Sequence, residues 1–62
     1  MIEKLQARLP EWTVRRVFTK NGIGVISSTK RLTNSVVRLV NLNPYLKWTV
    51  DEAYAAIVSF DD

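Results

Sequence analysis

Three kinds of side chain in this 62-residue chain are able to do chemistry: six carboxylates, nine Lys or Arg, and a set of hydroxyls. Cys and His are both absent. That excludes a thiol nucleophile, an imidazole base, a Cys/His zinc site, a disulfide framework and haem ligation by His. The carboxylates are poorly spaced for acid–base or metal work. Asp51 and Glu52 are adjacent, and neighbours on a helix point in different directions. Asp61 and Asp62 are a terminal pair that would hold a cation only loosely. A two-carboxylate or two-metal site needs acids converging from separate elements, and the expected strands offer none beyond Glu11. Ser27, Ser28, Thr29, Thr33 and Ser35 lack a His to activate them. A Ser–Lys arrangement using Lys30 or Lys47 would need a water-excluding pocket that so short a chain hardly builds. Gly22 and Gly24 fall at one turn, so no glycine loop is left to cradle a phosphate. The expectation is a protein without enzymatic activity, metal or cofactor.

The cations are the more promising group. Residues 1–47 hold all nine Lys and Arg against only Glu3 and Glu11, a balance of +7. Residues 48–62 carry four acids and no base, a balance of −4. Arg15, Arg16, Lys20, Lys30, Arg31 and Arg38 fall on or beside the expected sheet. Guanidinium groups on a rigid ribbon pair bidentately with phosphates, so these six are candidate nucleic-acid contacts. Six such contacts on duplex DNA imply a log–log salt slope of roughly −5 and low sequence preference. The same charge pattern suits two roles that involve no nucleic acid. Lys and Arg on sheet edges guard against sheet-to-sheet association, and an acidic end can cover a basic body.

The elements that must position these groups can be read from pattern. Ile2, Leu5 and Leu9 share one face of a short helix over residues 2–9, which Pro10 ends. Asn21-Gly22 is the strongest turn signal, favouring a two-residue type I′ loop at 21–22. The β-branched and aromatic runs on either side then form a hairpin over 12–30. A two-residue loop opposes Lys20 to Ile23, Phe18 to Val25, Arg16 to Ser27 and Val14 to Thr29. In that register Trp12, Val14, Phe18, Ile23 and Val25 form the core face, interrupted by Arg16. Thr13, Arg15, Val17, Thr19, Ile26, Ser28 and Lys30 form the solvent face, with Lys20 near the tip.

Residues 35–42 read as a third strand, since a two-stranded ribbon is marginal alone, although Val36, Val37 and Val40 behind Asn34 also suit a helix. Asn43-Pro44 stops this element. Thr49-Val50-Asp51-Glu52 reads as a capping box, with the Glu52 side chain reaching back toward the cap. Behind it Val50, Ala53, Tyr54, Ile57 and Phe60 make the apolar stripe of a helix over 50–60, and fraying is expected at Asp61 and Asp62. The expected fold is a single α+β domain over residues 1–62, order α-β-β-β-α, its three-stranded antiparallel sheet covered on one face by the helices.

Trp12, Phe18, Tyr54 and Phe60 are expected in the core. Tyr45, Leu46 and Trp48 lie in the connector before the last helix and are candidate partner-binding residues, although a Trp just before a helix cap usually folds back onto that helix and the core is the favoured place for it.

By element order alone the chain resembles the double-stranded-RNA-binding domain and the small mRNA-interferase toxins built on that layout. The resemblance carries no site residues over. The toxins depend on a strand His that is missing here, and Asp51-Glu52 stands where the RNA-binding domains place a basic cluster at the start of their last helix.

Two readings of function follow. The first is a nucleic-acid-associated module using the basic hairpin. The second is a small protein-binding regulator or homodimer that uses an exposed strand edge together with Tyr45, Leu46 and Trp48. The partner is nucleic acid in the first and another protein, an acidic surface or a second copy, in the second. No uncharged run approaches the ~20 apolar residues of a membrane span, and Met1-Ile2-Glu3-Lys4 does not begin a secretory signal, so a cytoplasmic setting is expected.

Overall fold

The computed structural model describes residues 1–61, Asp61 by its main chain only. Helix α1 (Ile2–Arg8) leads into strands β1 (Trp12–Phe18), β2 (Gly24–Arg31) and β3 (Val37–Asn41), and helix α2 (Val50–Asp61) closes the chain. The strands form one antiparallel sheet in the order β1-β2-β3, giving the α+β, α-β-β-β-α arrangement expected. Residues 35–42 resolve in favour of the strand over the helix.

Leu5 and Leu9 of the first helical segment, with Ala53 and Ile57 of α2, pack on Trp12, Val14, Ile26, Val40 and Leu42. All nine are buried, and Leu5 and Ile57 are fully so. Each large side chain of this kind contributes about 1.5–3 kcal/mol. That burial is what holds α1, since two turns of helix do not persist alone in water. Arg8 ties the helices together: its guanidinium pairs with Asp51 and stacks 4.3 Å from the centre of the Tyr54 ring.

The hairpin loop differs from the one its sequence suggests. The Thr19 amide donates to Ile23 O at 3.0 Å and the Gly22 amide to Thr19 O at 3.0 Å, so the loop is Lys20-Asn21-Gly22, three residues rather than two. Among the described residues only Gly22 has positive φ, at 76°, and Asn21 does not. This is a turn closed by a left-handed glycine, the usual three-residue alternative. One extra loop residue shifts the register by one: Phe18 opposes Gly24, Arg16 opposes Ile26 and Val14 opposes Ser28. A one-residue slip turns every β2 side chain over. Ile26, Ser28 and Lys30, expected in solvent, therefore lie on the helix-covered face with Trp12 and Val14, while Val25 joins the open face.

Two aromatic expectations also change. Phe18 is 68% exposed because the tip of the hairpin extends past the helices, and Phe60 is 61% exposed at the far end of α2. The capping box forms with a variation. The Glu52 amide donates to Thr49 Oγ1 at 3.1 Å, and that hydroxyl in turn donates to Glu52 Oε1 at 3.1 Å. The side chain of Asp61 and all of Asp62 lie outside the described residues, and with them the expected fraying and loose cation pair.

Candidate functional site

The register decides where the six candidate cations stand. Arg15 and Arg31 belong to the open face of the sheet, and Arg16, Lys30 and Arg38 to the helix-covered face, with Lys20 in the loop. One strand residue carries its side chain to the face opposite its neighbour's, so Arg15 and Arg16 diverge, as do Lys30 and Arg31. The cations do not form one plate. Two of those on the covered face, Lys30 and Arg38, are also engaged. Lys30 pairs with Glu11 at 3.3 Å, and the Arg38 guanidinium donates to Phe60 O. Arg16 lies along Gly24, where an added Cβ would meet its Nη1 at 3.1 Å.

The open face reads in rows across the strands: Val17 and Val25; Arg15, Ser27 and Asn41; Thr13, Thr29 and Leu39; Arg31 and Val37. Among the described residues it holds two guanidiniums, several hydroxyls and no carboxylate. It is also partly apolar, with Val17 49%, Val37 55% and Leu39 59% exposed. An antiparallel sheet bare on one side ordinarily presents polar residues there.

The two edges of the sheet are not equivalent. On β1 the bond between Thr19 and Ile23 sets the alternation, so Thr13, Arg15 and Val17 bond to β2, while Trp12, Val14, Arg16 and Phe18 turn main-chain groups outward. Part of that row is closed by α1. The Val14 amide donates to Gln6 Oε1 at 2.8 Å, and Gln6 Nε2 donates to Trp12 O at 2.6 Å and to Leu9 O at 2.9 Å. On β3 the Leu42 amide bonds Ile26 O and the Leu32 amide bonds Val36 O, each at 3.0 Å. Val36, Arg38, Val40 and Leu42 thus face β2, and Val37, Leu39 and Asn41 turn their amides and carbonyls outward. Among the described residues no neighbouring strand borders this row, and no side chain bonds to it.

The expected partner residues separate. Trp48 folds back onto the core, its indole N–H donating to Asn43 O at 2.8 Å. Tyr45 and Leu46 stay 77% and 55% exposed on the turn that Asn43 makes by accepting the Tyr45 amide at 2.9 Å. Arg16, Leu46, Lys47 and Trp48 come together around a cavity of about 300 Å³ that Ile26 and Leu42 also line. Sequence reasoning expected an exposed strand edge but did not single out β3. The signal was there in Val37, Leu39 and Asn41, alternate uncharged residues of one short strand. Among the described residues there is no cluster of three metal-binding side chains, and no helix is long and apolar enough to cross a membrane. No protein-family model, curated protein or solved structure matches the chain.

Proposed function

We propose that this chain is a non-enzymatic interaction module that takes an extended segment of a protein partner onto the outer edge of β3. One observation carries the reading: Val37, Leu39 and Asn41 present a row of outward main-chain groups with no charge on any of the three side chains. Edges that must stay unpaired are commonly guarded by Lys, Pro, a bulge or a covering segment. In strand addition the main chain supplies affinity and alternate side chains supply selectivity. Here Val37 and Leu39 offer apolar contact on the open face, and exposed Tyr45 and Leu46 follow on the connector that leaves β3. The proposed setting is the cytoplasm, in keeping with a chain that has no Cys to oxidise.

A photoreactive residue at position 41 tests this in cells. It is expected to give one defined protein adduct that disappears in Leu39→Pro, which removes an outward amide and leaves the bonds to β2 intact. Circular dichroism checks that the variant stays folded. No protein adduct, or one indifferent to Leu39→Pro, overturns the reading.

A second reading keeps nucleic acid as the partner, favoured by the open face carrying Arg15 and Arg31 among hydroxyls, with no carboxylate among the described residues. With Lys20 these make three phosphate contacts rather than six, so the log–log salt slope falls to about −3. Arg15→Glu with Arg31→Glu is then expected to abolish retention on nucleic acid and to leave the position-41 adduct unchanged.

A further inference from the structure

We infer that the occupant of the β3 edge is a second copy of this chain, paired antiparallel about a two-fold axis at Leu39. The inference rests on the strand-addition reading and adds the identity of the partner.

A two-fold interface must be self-complementary, since each residue meets its own copy or its mirror in the pairing. The β3 edge meets that condition in one register. With Leu39 on the axis it faces Leu39 of the second copy, and Val37 faces Asn41 at either end. All three outward residues of each strand are then used, giving about six main-chain hydrogen bonds. On the other face Arg38 falls opposite Val40, so no like charges meet. Moving the axis to Arg38 would oppose two guanidiniums, which is unfavourable for directly facing pairs. Moving it to Val40 would leave Val37 without a counterpart in β3. Charge and bond count therefore select the same axis.

The β1 edge does not offer this. Gln6 already occupies the Val14 amide and the Trp12 carbonyl, and the middle of what remains is Arg16, which an axis there would set against itself. The apolar pattern agrees with the charges. Leu39 and Val37, 59% and 55% exposed in the single chain, would become the centre of a six-stranded sheet. A three-stranded sheet with a small core gains most from such an extension. The open faces of the two copies would be continuous, carrying Arg15 and Arg31 outward from an apolar middle.

The test uses charge at the axis. Light scattering on the full chain at high micromolar concentration is expected to give twice the chain mass. Leu39→Lys and Leu39→Glu each place like charges face to face and are expected to weaken self-association about tenfold or more. An equimolar mixture of the two variants is expected to restore the dimer, as only a residue that meets its own copy allows. Arg15→Glu, on the far strand, is expected to leave the dimer intact. A monomeric wild-type chain overturns the second copy, and the position-41 adduct then decides separately whether strand addition stands with a different protein. A dimer that survives both Leu39 variants, or that Arg15→Glu breaks, overturns the axis.

Discussion

The carboxamide of Gln6 stands beside Val14 as a neighbouring strand would, accepting the Val14 amide at 2.8 Å while donating to the Trp12 carbonyl two residues back at 2.6 Å. Accepting from one residue and donating to the one two positions earlier is how a parallel strand bonds its neighbour. One side chain of α1 thereby closes the start of the β1 edge and fixes the helix along it. Among the described residues the outer strand at the other side of the sheet has no such cover. The asymmetry between the edges turns an ordinary small sheet into a candidate for pairing on one side only.

Replacing Gln6 with Leu keeps the bulk and removes three hydrogen bonds, two of them to the β1 edge. Partly buried main-chain groups left without partners cost about 1–3 kcal/mol in total for such a site. Urea denaturation is expected to show that loss. Gln6→Glu is expected to do at least as badly, because its carboxylate would face the Leu9 and Trp12 carbonyls. A change under about 0.5 kcal/mol in both variants would mean that water serves this edge equally well.

The two glycines of the hairpin are expected to respond in opposite directions. Gly22 holds φ at 76°, so Gly22→Ala forces a side chain into the left-handed region at a cost of about 1 kcal/mol. Gly24 has no such φ, and the three atoms nearest an added Cβ all belong to the Arg16 side chain, the first at 3.1 Å. Arg16 is exposed and able to move aside. Gly24→Ala is therefore expected to be neutral or to stabilise by a few tenths of a kcal/mol, through reduced freedom in the unfolded chain. Thermal melts of the two variants side by side check the sign.

Much of the architecture was legible because it rests on strong local signals. The Leu5–Leu9 stripe, the Thr49–Glu52 cap and the Ala53–Ile57 stripe each follow from one period or one motif, and each is where expected. The candidate site was less legible, for a reason confined to a single loop. Asn21-Gly22 suits either a two-residue or a three-residue connection, and nothing within the dipeptide distinguishes them. The difference is one residue of register, which sends Ser28 and Lys30 to the covered face and parts them from Arg15. The burial pattern held the missing information. Ile26 packs in the core with Val40 and Leu42, and the longer loop is what places it there in preference to Val25. Gln6 was illegible altogether, since a polar residue in a short helix gives no sign that it will bond to a strand.

Ser28 offers the most direct check of that register. It is fully buried, set between Val14 and Val40 in the ladder, and its hydroxyl has no hydrogen-bond partner among the described residues. A buried hydroxyl in that position costs about 1–3 kcal/mol relative to a satisfied one. Ser28→Ala removes the unmet group with little change in volume and is expected to raise stability by about 1 kcal/mol. Ser28→Thr keeps the hydroxyl and crowds a methyl against two valines, so it is expected to destabilise by about 1–3 kcal/mol. In the alternative register, with Val14 opposite Thr29, the same serine would face solvent, and both substitutions would fall within about 0.5 kcal/mol of zero. Denaturation midpoints for the two variants thus separate the registers. Only the three-residue loop predicts opposite signs.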